Sequence, residues 1–372
     1  MKFPIPIAQK GTPSRENRTA RDYAQNPLIL YWEMTQACGL ACRHCRAEAM
    51  PKAHPQQLTH AESKSLLQQI AAFGDPLPHL ILTGGDPLER TDLYDLMDEA
   101  TALGLSVSIT PSATKNLTKD AIWQMKMHGI QSLGLSLDGS DAPLHESIRG
   151  VQGCFDWTIQ AARLAAEFEI PIQVNTLVSQ ETVDDLPAIY ELLKKLKVMR
   201  WSLFFLIGVG RGRVLQEVTP ARAEQLMDWI YDLSRVAPFA IKTTEAPHYR
   251  RVALNRMRHE GMPPEQIQRT SVYHGFGIRD GNGIFFISST GDIYPSGFLP
   301  LKIGNVRVNN LAHIYRDAPE FQALRSPDQF KGKCGRCEYR AICGGSRARA
   351  FAYTGNLLEG DPLCPYQPKL HS

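Results

Sequence analysis

No stretch of the 372-residue chain stays apolar for the roughly 20 residues that a membrane-spanning helix needs, so no membrane association is expected. The opening Met1-Lys2-Phe3-Pro4-Ile5-Pro6 lacks the apolar core of a secretory signal, and the expected location is therefore cytoplasmic. An excess of one charge is missing too. The 41 Lys and Arg face 38 Asp and Glu, a formal net charge of +3, which argues against nucleic acid as a partner. Neither a solenoid repeat nor a low-complexity run is present. With 43% hydrophobic and 21% charged residues, the chain can bury a sizeable core. Thiols stay reduced in the cytoplasm, so the eight cysteines read as metal ligands before disulfides.

Residues 1–27 are polar, contain four prolines and read as a loose lead-in. From Leu28 a βα rhythm runs to about residue 237, with strands ending at Glu33, Thr83, Thr110, Asp138, Leu177 and Leu206. Helices are expected near 59–73, 90–103, 118–128, 155–168, 184–197 and 219–236, the first opening with Thr59 and Glu62 at capping-box spacing. Six βα units imply a parallel sheet in an α/β fold, an open (β/α)6 partial TIM barrel. Residues 238–282 read as an irregular bridging segment. Gly283–Gly297 reads as a hairpin turning at Ser289-Thr290-Gly291-Asp292. The remainder of 283–372 is Cys-, Gly- and Pro-rich and suggests a segment stapled by metal.

Three strands alternate in an informative way. Leu105, Val107 and Ile109 alternate with Ser106, Ser108 and Thr110; Leu133, Leu135 and Leu137 with Gly134, Ser136 and Asp138; Ile172 and Val174 with Gln173 and Asn175. A closed barrel fills its interior with branched apolar side chains. A small, polar inner face points instead to a ligand cavity, the alternative being a solvated face.

Cys38, Cys42 and Cys45 form C-x3-C-x2-C directly after the first strand. Three thiolates in one short loop can hold three irons of a [4Fe–4S] cluster, whereas a structural zinc requires a fourth ligand. This loop, in this place, resembles the signature of the radical S-adenosylmethionine superfamily. The resemblance implies a fourth iron that chelates S-adenosylmethionine, and one-electron cleavage to a 5′-deoxyadenosyl radical. It extends to Thr83-Gly84-Gly85-Asp86-Pro87, similar to a Gly-Gly-Glu-Pro-like segment whose backbone meets the methionine amino group, with Asp86 in place of the usual Glu. It includes Ser136-Leu137-Asp138-Gly139, His145 and Ile148-Arg149-Gly150, which implies Ser136 and Arg149 as contacts to ribose and carboxylate. His44 stands where the family has an aromatic residue against adenine, and Gln173 and Asn175 are further candidates. No catalytic acid or base is assigned.

Cys334, Cys337, Cys343 and Cys364 make C-x2-C-x5-C and a distant fourth cysteine, enough for one zinc or one complete [4Fe–4S]. The run from Lys331 to Arg347 closely resembles the SPASM extension, which implies an auxiliary iron–sulfur cluster. The family's second auxiliary cluster is not implied, because Ser296 and Arg347 stand at two of its cysteine positions and Asn309 near a third. Cys154 reads as a small buried thiol.

The whole chain is similar to a SPASM branch adjoining the radical SAM enzymes of the alternative haem pathway. That implies an oxidoreductase acting by hydrogen abstraction on a carboxylate-bearing substrate such as a tetrapyrrole, supplied with electrons by flavodoxin or ferredoxin. The basic stretch with Arg250, Arg251, Arg256, Arg258, Arg269 and Arg279 can receive carboxylates or form a solvated face. His248, His259 and His274 are candidate ligands to a porphyrin metal. Two other readings stay open, a ribosomal peptide maturase and a non-enzymatic iron–sulfur electron carrier.

Overall fold

The computed structural model describes residues 21–368, so most of the expected lead-in lies outside the described residues. Six parallel strands follow the expected rhythm: β1 (Ile29–Glu33), β2 (His79–Thr83), β3 (Val107–Ile109), β4 (Leu133–Ser136), β5 (Ile172–Val178) and β6 (Arg200–Phe205). A seventh, β7 (Ala240–Thr244), pairs in parallel with β6 inside the stretch expected to be irregular. The helices between them are α1 (His60–Ala71), α2 (Leu93–Ala102), α3 (Lys119–Met127), α4 (Ala142–Arg149), α5 (Cys154–Glu167), α6 (Leu186–Leu196) and α7 (Pro220–Ser234), followed by α8 (Tyr249–His259). Local chemistry sets their ends. Thr59 and Glu62 cap α1 reciprocally, and Asp141 caps α4, which stops at Gly150 with φ +73°.

The C-terminal segment joins the same sheet. β8 (Arg279–Asp280), β9 (Gly283–Ile287), β10 (Asp292–Tyr294) and β11 (Gly304–Asn305) follow α8, and β9 and β10 form the expected antiparallel hairpin. β9 also lies parallel to β1, Ile29 against Ile284. The strand order is therefore β11-β10-β9-β1-β2-β3-β4-β5-β6-β7, an open curl with β7 at one edge.

Period-two alternation divides the strands as their residues require. Leu30, Trp32, Leu80, Leu82, Val107, Ile109, Leu133, Leu135, Val174, Trp201 and Leu203 are buried in the core cluster. The alternate residues Tyr31, Ile81, Thr83, Thr110, Ser136, Gln173, Asn175 and Phe204 line cavities inside the curl. Among the described residues no helix is long and apolar enough to cross a membrane.

Candidate active site

Cys38, Cys42 and Cys45 open onto a cavity of about 1200 Å³, mouth included, at the C-terminal ends of the strands. Their loop is held by its own backbone. Gly85 N–H donates to Thr35 O and Asp86 N–H to Ala37 O, both at 2.7 Å, while Ala41 and Arg43 N–H donate to the α4 carbonyls of Arg149 (3.2 Å) and Ile148 (2.9 Å). Glycine is required for this approach: a Cβ on Gly84 would stand 2.6 Å from Thr35 O and one on Gly85 2.3 Å from Ala37 O. Burial pushes the Cys38 and Cys42 thiols up. Ser112 Oγ at 3.3 Å and Leu40 N–H at 3.3 Å meet Cys38 Sγ, Ala49 N–H meets Cys45 Sγ at 3.4 Å, and Arg149 reaches Cys42 Sγ at 3.8 Å. Donors on one side and burial on the other suit thiolates bound to iron, which supplies the missing positive charge.

The other expected cofactor residues separate. His44, Gly84, Gly85, Ser136, Arg149 and Asn175 line this cavity. Asp86 does not: its buried carboxylate accepts from Leu88 N–H, Ser112 N–H and Thr114 Oγ1, and burial raises it to about 6. Its side chain braces the loops under the cysteines. Gln173 faces a second chamber and bonds Asn175 Oδ1 at 2.9 Å.

Asp138, named above on the polar face of its strand and within the Ser136–Gly139 segment but given no role there, is central. Its Oδ2 lies 2.7 Å from Arg149 Nη2 and 3.8 Å from His44 Nε2, and Leu177 N–H donates to its Oδ1 at 2.7 Å. Burial alone would raise Asp138, yet the Arg149 guanidinium holds it below the usual carboxylate range. Burial, then Arg149, lowers His44 to about 4, so the ring is neutral. The Arg149 guanidinium thus faces the cavity already paired, with Nε buried and unpartnered.

The second chamber, about 1170 Å³ with its mouth, shares Arg46, Thr83, Thr110, Asn175, Phe204 and Phe298 with the first. Of the expected basic stretch only Arg250 and Arg279 enter it, joined by Lys242 from β7. Arg251 pairs with Glu224 at 2.6 Å and Arg256 with Asp228 (3.1 Å) and Asp232 (2.6 Å), while Arg258 and Arg269 are exposed. The histidine candidates do not serve either chamber. His248 is fully buried and lines neither, and burial lowers it to about 3; His259 and His274 are exposed at the surface.

Cys334, Cys337, Cys343 and Cys364 converge on one small cavity, met also by Arg251 and Tyr366. Burial pushes Cys343 up to about 12 and Cys364 to about 11, and Asp361 N–H and Gly345 N–H donate to Cys334 Sγ (3.3 Å) and Cys343 Sγ (3.5 Å). Thiols so placed ionise only with a cation among them, which an iron–sulfur cluster provides. Among the described residues no three His, Cys, Asp or Glu converge as ligands to a single ion. The non-cysteine positions have other work. Arg347 is fully buried and donates to Leu357 O (3.1 Å) and Glu359 O (2.7 Å), Asn309 Oδ1 accepts from Asn305 N–H (2.9 Å), and Ser296 borders the second chamber. Cys154 is buried with no exposure.

Comparison with known proteins agrees with this geometry. Residues 32–193 match the radical SAM superfamily, and residues 279–338 match SPASM, an iron–sulfur cluster-binding domain. The AdoMet-dependent heme synthase of Oleidesulfovibrio alaskensis is 36% identical over 356 residues, 95% of this chain and 90% of its own length. The Fe-coproporphyrin III synthase of Methanosarcina barkeri is 28% identical over 95% of this chain and 91% of its own. Streptococcus suis SuiB bound to S-adenosylmethionine has the same fold, with a TM-score of 0.70 at 20% identity, over 92% of this chain and 78% of its own.

Proposed function

This chain belongs to the radical SAM superfamily and carries a SPASM iron–sulfur domain, and from that premise we propose that it abstracts hydrogen from a carboxylate-bearing tetrapyrrole. The observation that carries the substrate reading is the second chamber, which opens off the cysteine-lined one and has cations on its wall. When bound at this loop, a reduced [4Fe–4S] cluster and S-adenosylmethionine would supply the radical chemistry.

Within this reading Cys38, Cys42 and Cys45 hold that cluster, and Cys334, Cys337, Cys343 and Cys364 hold the auxiliary one. Ser136, Asn175 and Arg149 orient the cofactor's polar groups, with Asp138 keeping Arg149 in place. Phe204, Phe205, Leu206, Ile207 and Phe298 give the first chamber an apolar wall, which keeps water from a reactive radical. A flavodoxin or ferredoxin is the proposed electron donor.

The test is anaerobic turnover with dithionite, S-adenosylmethionine and iron coproporphyrin III. The reading expects 5′-deoxyadenosine to rise with the porphyrin, together with a change in porphyrin mass. Release that ignores porphyrins and responds to a peptide would transfer the assignment to the peptide maturases. No cleavage of S-adenosylmethionine by iron-replete protein would leave an electron carrier.

A further inference from the structure

Inward-facing residues of four neighbouring strands form one row. Ser136 pairs with Asn175, Asn175 with Ser202, and Ser202 with Lys242. Three strand spacings of about 4.8 Å put Lys242 roughly 14 Å along the sheet from the cofactor end of that row. Lys242 is exposed and lines the second chamber, and among the described residues it has no ion-pair or hydrogen-bond partner.

Two guanidinium groups share the chamber. Arg250 donates to Ile342 O at 3.3 Å, and Arg279 to Arg340 O (3.3 Å) and Ala341 O (3.4 Å), with its Nε buried and unpartnered. Neither is ion-paired among the described residues. The three cations repel one another: burial, then Arg200 and Arg250, lowers Lys242 to about 8, and burial, then Arg250 and Arg347, lowers Arg279 to about 10.

Glu245 and Asp280 also line the chamber; Asp280 partly offsets Arg279, but among the described residues neither carboxyl lies within ion-pair distance of Lys242, Arg250 or Arg279. Glu245 accepts from Ser346 Oγ at 2.6 Å and Asp280 from Ala348 N–H at 3.0 Å, and burial raises both carboxyls above their ordinary range. Cations gathered in one chamber without an ion-pair partner repel one another, and a bound anion relieves that repulsion.

We infer that Lys242, Arg250 and Arg279 form an anchor for a carboxylate of the substrate that does not react. The anchored molecule then presents its far side to Thr83, Thr110, Asn175 and Phe204, the wall common to both chambers. The anchor rests on the tetrapyrrole reading only for the identity of the molecule held. Lys242 is the positioning residue to test, because its side chain faces a cavity and supports no other part of the fold.

Anaerobically reconstituted full-length protein is titrated with iron coproporphyrin III and with its tetramethyl ester, and its melting is followed with adipate, a plain dicarboxylate. Loss of a charged hydrogen-bond donor should weaken binding of the free acid by Lys242→Met about ten- to a hundredfold. Lys242→Arg should restore most of it, and the ester should not distinguish wild type from either variant. Unchanged iron content and melting of Lys242→Met without ligand establish that it is folded. Equal free-acid affinity in wild type and Lys242→Met overturns the anchor. A wild type that ignores the porphyrin, but is stabilised by adipate only when Lys242 is present, removes the tetrapyrrole reading and keeps the anchor. A wild type that answers to neither ligand overturns the anchor as well.

Discussion

Asp138 and Arg149 form a nearly enclosed ion pair, with side chains 1% and 12% exposed. Removing one partner of such a pair strands a buried charge and costs about 3–5 kcal/mol. Arg149→Ala should therefore both weaken S-adenosylmethionine binding and destabilise the protein by about that amount in urea titrations. Asp138→Ala should destabilise it similarly, and the double variant should lose clearly less than the two losses added. Additive losses would show that the pair is not coupled. Arg149 was legible because the Ile-Arg-Gly run carries it. Asp138 was not, since a strand-ending Asp has the same appearance whether it faces water or an arginine. Lys242 was hidden for a related reason: inside a stretch read as irregular, one lysine in Ala-Ile-Lys-Thr-Thr looks like any solvated lysine.

Among the elements, α1 ties the barrel to the C-terminal segment. Glu62 closes the capping box with Thr59 and also accepts from Arg307 Nε at 2.6 Å. Hydrogen bonds from Arg307 and then from the Thr59 backbone lower Glu62 from its ordinary 4.5 to about 2. A carboxyl whose folded value lies below its unfolded one stabilises fully above the unfolded value. Its contribution is lost as pH falls from about 4.5 towards 2. Glu62→Gln should therefore cost about 1 kcal/mol at pH 7, the worth of a cap with a solvent-screened ion pair, and this difference should shrink in melts run through that acid range. A difference that stays constant with pH would contradict the assignment. The helices with Thr caps were legible from their spacing. Helix α4 was not, because it is only eight residues long and its Pro143 and flanking Gly150 resemble loop punctuation. Strand β7 was missed because its residues are at most partly buried and carry no apolar alternation.

At the scale of the whole molecule, the open barrel could be read from repeated βα units. The parallel pairing of β9 with β1 could not, since it joins residues about 250 positions apart and leaves no local trace. Both cysteine groups could be read from spacing, and the structure brings each to one cavity. Two complete and separate ligand sets predict about eight irons per reconstituted chain. Replacing Cys38, Cys42 and Cys45 by Ala should leave about four, and replacing Cys334 and Cys337 should leave the other four. A count near twelve would require ligands at Ser296, Asn309 or Arg347, which the hydrogen bonds of Asn309 and Arg347 oppose. The proposal as a whole is that a substrate held in the second chamber would place a carboxylate-bearing side chain where the two chambers meet, in contact with a cofactor bound at the cysteine loop. It is tested most directly by turnover with iron coproporphyrin III deuterated along its propionate side chains, followed by mass analysis of the 5′-deoxyadenosine. Deuterium is expected in the 5′-deoxyadenosine. Unlabelled 5′-deoxyadenosine, with the porphyrin recovered unchanged, would contradict it.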